Sequence, residues 1–214
     1  MNPSPSPSTP ATTPKSPLLA GSDAGIDLVD PLAELLGARR PRETFHYGYD
    51  DVVKLSGHSC PTVAGAYLMT LAALRHLYPG DVPARGQIEV TVGGRRDDGS
   101  AGPMSQVVAL LTGAAPETGF GGLMGRHRRR DLLTFDPALS DRIRFRRLDT
   151  GAAVDVAYDP SGVPAHPDLG RLLGAVLAGR ATDEERSRFG ELWQARVAAI
   201  LAASHVVALE PVRT

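Results

Sequence analysis

The chain carries one cysteine in 214 residues. That count excludes an internal disulfide framework and a four-cysteine zinc site. It suits a reducing compartment, and a cytoplasmic protein is the expectation. An excess of charge of one sign is missing too. The net charge is −1, so bulk electrostatics draw the chain neither to nucleic acid nor to a membrane surface. Aromatic residues make up only 5%. Ala, Leu and Val must therefore fill the core that a 42% apolar fraction allows. The longest mostly apolar run, Val63 to Leu74, is interrupted by Thr70. It falls short of the roughly 20 residues that a bilayer span needs. The opening MNPSPSPSTPATTPKSPLLAGSDAG has no charged segment leading into an apolar one, so no secretory signal is expected. Its only basic residue is Lys15, which is too little for a transit peptide.

Residues 1–25 are rich in Pro, Ser and Thr and lack hydrophobic periodicity, which predicts a disordered or extended tail. Helices are expected over Pro31–Ala38, over YGYDDVVKLSG to Gly57, and over Pro61–Tyr78. Gln87–Val92 alternates as a strand does, and PMSQVVALLTG reads as a shorter helix stopped at Gly113. A glycine-rich loop follows, and then three strands: DLLTFD, DRIRFRRL and AAVDVAY. A DTG turn joins the last two. Two helices end the chain, and Thr182 with Glu185 forms a capping box at the start of the second. Leu192, Val197, Ile200 and Leu201 mark its apolar stripe. This order predicts an α+β fold: a small mixed or antiparallel sheet on a long central helix, with C-terminal helices.

The chemistry concentrates in SGHSCPTVAGAYLMTLAAL. Pro61 suits a first helical turn, where its missing N–H costs nothing, and that makes Cys60 the N-cap. The positive end of a helix favours the thiolate, which is both a metal ligand and a nucleophile. His58 stands two residues earlier. Imidazole nitrogen with thiolate sulfur suits zinc, iron or copper. By spacing alone, H-x-C leaves three readings open: a metal site, an activated thiol, and plain packing.

The same stretch, followed by QIEVTVGG, VVALLTG, ETGFGGL and the strands from Asp131 to Tyr158, resembles the FmdE family, which takes its name from formylmethanofuran dehydrogenase. The specific element is G-H-x-C-P, with a small residue where Gly65 stands. The resemblance implies a divalent metal, zinc foremost, held partly by His58 and Cys60. It implies no known reaction, and no tungsten or molybdenum site carries over. Family members often have a cysteine after the T-G and a C-x-x-D-A stretch ahead of it. Here Ala114 and Ala115 follow the T-G, and Pro103 and Gln106 take the earlier positions. The resemblance covers roughly Tyr47 to Tyr158, and the chain is expected to divide into a tail (1–25), an FmdE-like metal-binding domain (26–160) and a C-terminal helical extension packed on it (161–214).

Other ligands must then complete such a site. His46 is the first candidate, because a helix from Tyr49 to Gly57 could fold back and bring it near Cys60. His127 and His205 are weaker candidates, and His76 lies about 24 Å along the helix from Cys60. His166 reads as a turn residue, and Gln106 as a hydrogen-bonding partner or a helix-surface residue. The second informative stretch is GFGGLMGRHRRRD. Between Arg126 and Arg147 stand eight arginines against three aspartates. Gly121, Gly122, Arg126, His127 and Arg128 form a candidate anion- or cofactor-binding lip beside the metal. Arg142, Arg144 and Arg146 alternate with Ile143 and Phe145, as on a solvated strand face.

The leading expectation is a metal-binding domain with a pocket for a small anionic ligand. The alternatives are a metal carrier or sensor, a haem protein bound through Cys60 or a histidine, and a thiol enzyme using Cys60 with His58 or His46 as base. No nucleic acid and no membrane partner are expected, and a homo-oligomer is compatible with the sequence. Removing residues 1–24 is expected to leave the melting temperature nearly unchanged. A loss of more than a few degrees would mean that the segment docks on the body.

Overall fold

The structure, a computed structural model, describes residues 25–212. The tail expectation lies outside the described residues. In chain order the elements are β1 (Ile26–Leu28), α1 (Pro31–Leu35), β2 (Phe45–Tyr47), α2 (Tyr49–Ser56), α3 (Pro61–Leu77), β3 (Ile88–Gly93) and α4 (Ala101–Thr112). Then come β4 (Leu133–Asp136), β5 (Arg142–Arg147), β6 (Ala153–Tyr158), α5 (Leu169–Leu177), α6 (Asp183–Ala202) and β7 (Val207–Glu210). The fold is α+β.

The main sheet runs β4-β3-β5-β6-β7, with β4 parallel to β3 and the other neighbours antiparallel. Register sorts its side chains. Val90 pairs with Phe145, Val92 with Ile143, and Ile143 with Val156. All of these are buried and make one apolar face. α3 lies against that face, with α4 and α6 beside it. α3 is apolar nearly all round because it is central: Val63, Ala64, Ala66, Met69, Ala73 and Leu74 are fully buried. The opposite face of the sheet is a ladder of ion pairs. Arg142 meets Glu210 at 2.9 Å, Arg144 meets Asp155 at 2.6 Å, and Arg146 pairs with Glu89. These three arginines form the solvated strand face that their alternation suggests.

Three strands escape the sequence reading. β1 and β2 form a three-residue ribbon, too short to show alternation. β7 follows the last helix directly and closes the sheet edge beside β6.

α3 has two distinct ends. At its C-terminal end, the loop to β3 meets the end of α4, where the Gly86 N–H donates to the Thr112 carbonyl at 2.7 Å. Asp30 is buried there. It caps α1 by accepting from the Leu32 and Ala33 N–H groups. It also pairs with Arg85 at 2.9 Å and Arg129 at 2.6 Å. Arg85 donates in turn to the Leu110 carbonyl at 2.9 Å, in the last turn of α4. Burial holds the Arg129 guanidinium below its ordinary pKa, and Asp30 opposes that shift. The guanidinium lies against Gly86 and Gly113, both at positive φ, where any side chain would collide with it.

One buried carboxylate thus serves two cations, the buried Arg129 and the partly buried Arg85. Asp30→Asn keeps a capping oxygen for α1 but removes the charge. The expected loss is about 3 kcal/mol in urea unfolding, the scale for breaking a buried pair. Asp97→Asn, at an exposed pair with Arg95, should leave the unfolding midpoint almost where it was.

Candidate functional site

The site lies at the other end of α3. Gly57 stops α2 in the left-handed region, at φ +70°, where a side chain would be strained, and its N–H donates to the Val53 carbonyl at 2.8 Å. Four residues later α3 begins with Pro61 in its first turn. Between the two helices lie His58, Ser59 and Cys60. Cys60 is the N-cap in extended conformation, and its Sγ accepts the Val63 N–H at 3.4 Å. It is half-buried. His58 is exposed, and its Nδ1 lies 2.8 Å from the Ser56 carbonyl. A carbonyl only accepts, so Nδ1 donates, and in the neutral tautomer that makes this bond the lone pair is on Nε2.

Ser59, between these two residues, is the most heavily tied point of the loop. Its carbonyl accepts from Trp193 Nε1 at 2.9 Å and from Gln194 Nε2 at 3.3 Å, both on α6. Its hydroxyl lies 3.1 Å from the Tyr49 hydroxyl. Tyr49 is buried beside the Tyr67 ring, with centroids 5.5 Å apart. Tyr158, at the end of β6, donates to the Pro61 carbonyl at 2.8 Å. Its ring lies on Gly65, and a Cβ there would come within 2.5 Å of it. The small residue at position 65 is therefore needed for close approach of the tyrosine.

A cavity of about 220 Å³ opens beside the first turn of α3. Thr62, Tyr158, Val92, Ala101, Met104 and Arg142 contribute to its walls. Tyr158 thus touches both the first turns of α3 and the cavity.

The other candidates lie elsewhere. His46 is in β2, where its Nδ1 contacts Asp27 Oδ1 at 2.9 Å across the ribbon and its ring covers Gly25. Pairing with β1, rather than the approach of α2 to Cys60, sets its position. Among the described residues no three of His, Cys, Asp and Glu come together to hold a metal. Among the described residues, His58 and Cys60 therefore have no third donor of these types beside them. Gln106 is exposed in mid-α4.

The glycine-rich loop is not a lip beside Cys60. Its Arg129 is bound to Asp30 and packed on Gly86, and this ties the loop to the far end of α3. Leu123 and Arg126 exchange backbone hydrogen bonds there in a tight hairpin. Gly121 and Arg126 are exposed, and the Gly122 Cα faces the Arg126 carbonyl. His127 and Arg128 line a cleft of about 290 Å³ with Glu89, Asp131 and Arg146. Arg128 lies 3.6 Å from Asp131, and Arg146 pairs with Glu89. Ala114 is buried at this end too, since Gly113 abuts Gly86.

Tyr49, Tyr158, Trp193 and Gln194 went unremarked in the sequence. The one available signal is the single tryptophan, because a half-buried indole N–H needs an acceptor. Burial pushes the Tyr49 phenol from its ordinary 10 up to about 12. Burial does the same to Tyr158, against the opposing pull of Arg196. A phenol whose folded pKa is raised binds its proton more tightly in the folded state. Its contribution is intact below pH 10 and is lost as pH climbs to 12. Urea midpoints should fall across that interval, and Tyr49→Phe should flatten the fall. An unchanged slope in that variant would contradict the burial of an un-ionised phenol.

Residues 55–209 match the family model described as "FmdE, Molybdenum formylmethanofuran dehydrogenase operon". No curated protein matches the chain. The matched span is well over half of the sequence and takes in the His58–Cys60 loop, the cavity beside α3 and the clamp from α6. On that match, the chain belongs to the FmdE family.

Proposed function

We propose that the chain binds a divalent metal, zinc foremost, through His58 Nε2 and Cys60 Sγ. The site would be open, with positions left for an outside ligand. The observation that carries this reading is the hydrogen bond from His58 Nδ1 to the Ser56 carbonyl at 2.8 Å. Metal-binding histidines use such a bond to fix the tautomer and turn the second nitrogen outward. The donor set of one imidazole and one thiolate suits zinc. Two donors are fewer than the four of a closed structural site, so the residues present fit an open site only.

A zinc ion so held supplies Lewis acidity. The chain's own groups do the rest. Ser59, held on both sides, keeps the two donors in place. Tyr158 closes one wall of the cavity with its hydroxyl engaged on Pro61. The cavity gives a small ligand an apolar surface in Val92, Ala101 and Met104, with Arg142 at its edge.

A second reading follows from the shortage of donors. Cys60 would then act as a lone thiol nucleophile, with the His58 imidazole two residues away as base. Elemental analysis of protein prepared without an affinity tag separates the two. The metal reading expects about one zinc per chain, and sharp loss in Cys60→Ser and His58→Ala at nearly unchanged melting temperature. Full occupancy in Cys60→Ser would overturn it. Protein without metal whose Cys60 is rapidly alkylated would favour the thiol reading. Ala114→Cys offers a further check. Position 114 is at the opposite end of α3 from Cys60, so the added thiol should leave zinc affinity, measured against a chromophoric chelator, unchanged.

A further inference from the structure

We infer that Trp193 and Gln194 are positioning residues for the site: α6 holds the His58–Ser59–Cys60 peptide in the shape that presents both donors. The inference rests on the metal reading for its consequence, although its geometry stands apart from it.

The loop is short and lies between two helices; His58 and Cys60 each make a local bond, to the Ser56 carbonyl and the Val63 N–H, and Ser59 between them is held from elsewhere in the fold. Ser59 has one carbonyl, and α6 gives it two donors from adjacent residues, the Trp193 indole N–H and the Gln194 amide. The Ser59 hydroxyl is held separately, by Tyr49 of α2. Rotation of this residue would swing His58 and Cys60 in opposite senses, because they are attached to its two ends. Holding the peptide and the side chain together blocks that rotation. The partners are 134 and 135 positions away in sequence, so the constraint is tertiary.

Trp193 is suited to the role by its surroundings. Its ring packs against the main core and also against the small separate cluster of Leu169, Leu172 and Leu192. Phe189, one turn earlier, packs against it as a tilted ring with centroids 5.7 Å apart. The indole is thus fixed by α5 and α6 before it reaches Ser59. Gln194 lies next to it on the helix and adds a second donor to the same oxygen. Partners that orient the ligands of a metal in this way alter affinity by about 10- to 100-fold when removed.

The chain has one thiol and one tryptophan, which makes the test direct. The full-length chain, stripped of metal with a chelator, is treated with iodoacetamide, and the rate at Cys60 is compared among wild type, Trp193→Phe, Gln194→Met and the double variant. Leu111→Ala serves as the control, since it opens the core in the last turn of α4, at the other end of α3, without touching Ser59 or Trp193. Each variant that loses a bond to Ser59 should raise the alkylation rate about threefold or more, the factor that one ordinary hydrogen bond holds. The control should leave the rate unchanged at a comparable loss of melting temperature. Alkylation of wild type should also shift the emission of Trp193. Zinc affinity should fall about tenfold or more in the double variant. Equal rates in wild type and double variant, or a control that raises the rate as much, would overturn the inference. If alkylation responds but wild type holds no zinc, the clamp stands and the metal reading fails.

Discussion

The peptide of Ser59 is the constraint on which the rest of the site depends. Its carbonyl is bound by α6 and its hydroxyl by the first residue of α2. Without those ties His58 and Cys60 are two residues of a short interhelical loop. With them, the imidazole and the sulfur keep a fixed relation to each other and to the cavity that Tyr158 shares. The C-terminal helices therefore serve the site as well as the core. α6 buries Val197 and Ile200 against the body, and from that anchorage it reaches the loop.

The long central helix separates two kinds of polar chemistry. At its start lie an imidazole, a thiol and two phenols that burial keeps protonated. At its end lies a buried carboxylate shared by two guanidiniums, which ties α1, α4 and the glycine-rich loop together. The second cluster is architectural. Its hydrogen bonds run to a helix cap and a helix C-terminus, and its arginine sits where glycines make room. About 25 Å of helix, at 1.5 Å per residue, divides the two.

Much of this was legible in the sequence, for physical reasons that are local. Pro61, Gly57 and Gly113 mark helix ends through their backbone preferences, and Thr182 with Glu185 does so through its side chains. The α+β class follows from the order of the elements, and the arginine ladder of β5 from alternation. What could not be read was tertiary. Arg129 in GRHRRRD looks like its neighbours, and only the fold shows that it is buried on Asp30, 99 positions away. That one pair moved the glycine-rich loop to the wrong end of the helix for the role expected of it. The placement of His46 could not be read for a related reason: the three-residue ribbon that fixes it has too few residues to show a strand pattern. Trp193 lay inside a helix whose other apolar residues explained it well enough.

The central claim is that His58 and Cys60 bind one metal ion together. X-ray absorption at the zinc edge of the zinc-loaded protein tests this most directly. The account predicts one sulfur scatterer at about 2.3 Å and an imidazole nitrogen at about 2.0–2.1 Å, the remaining positions being filled from outside the chain. A first shell of nitrogen and oxygen alone, without sulfur, would contradict it.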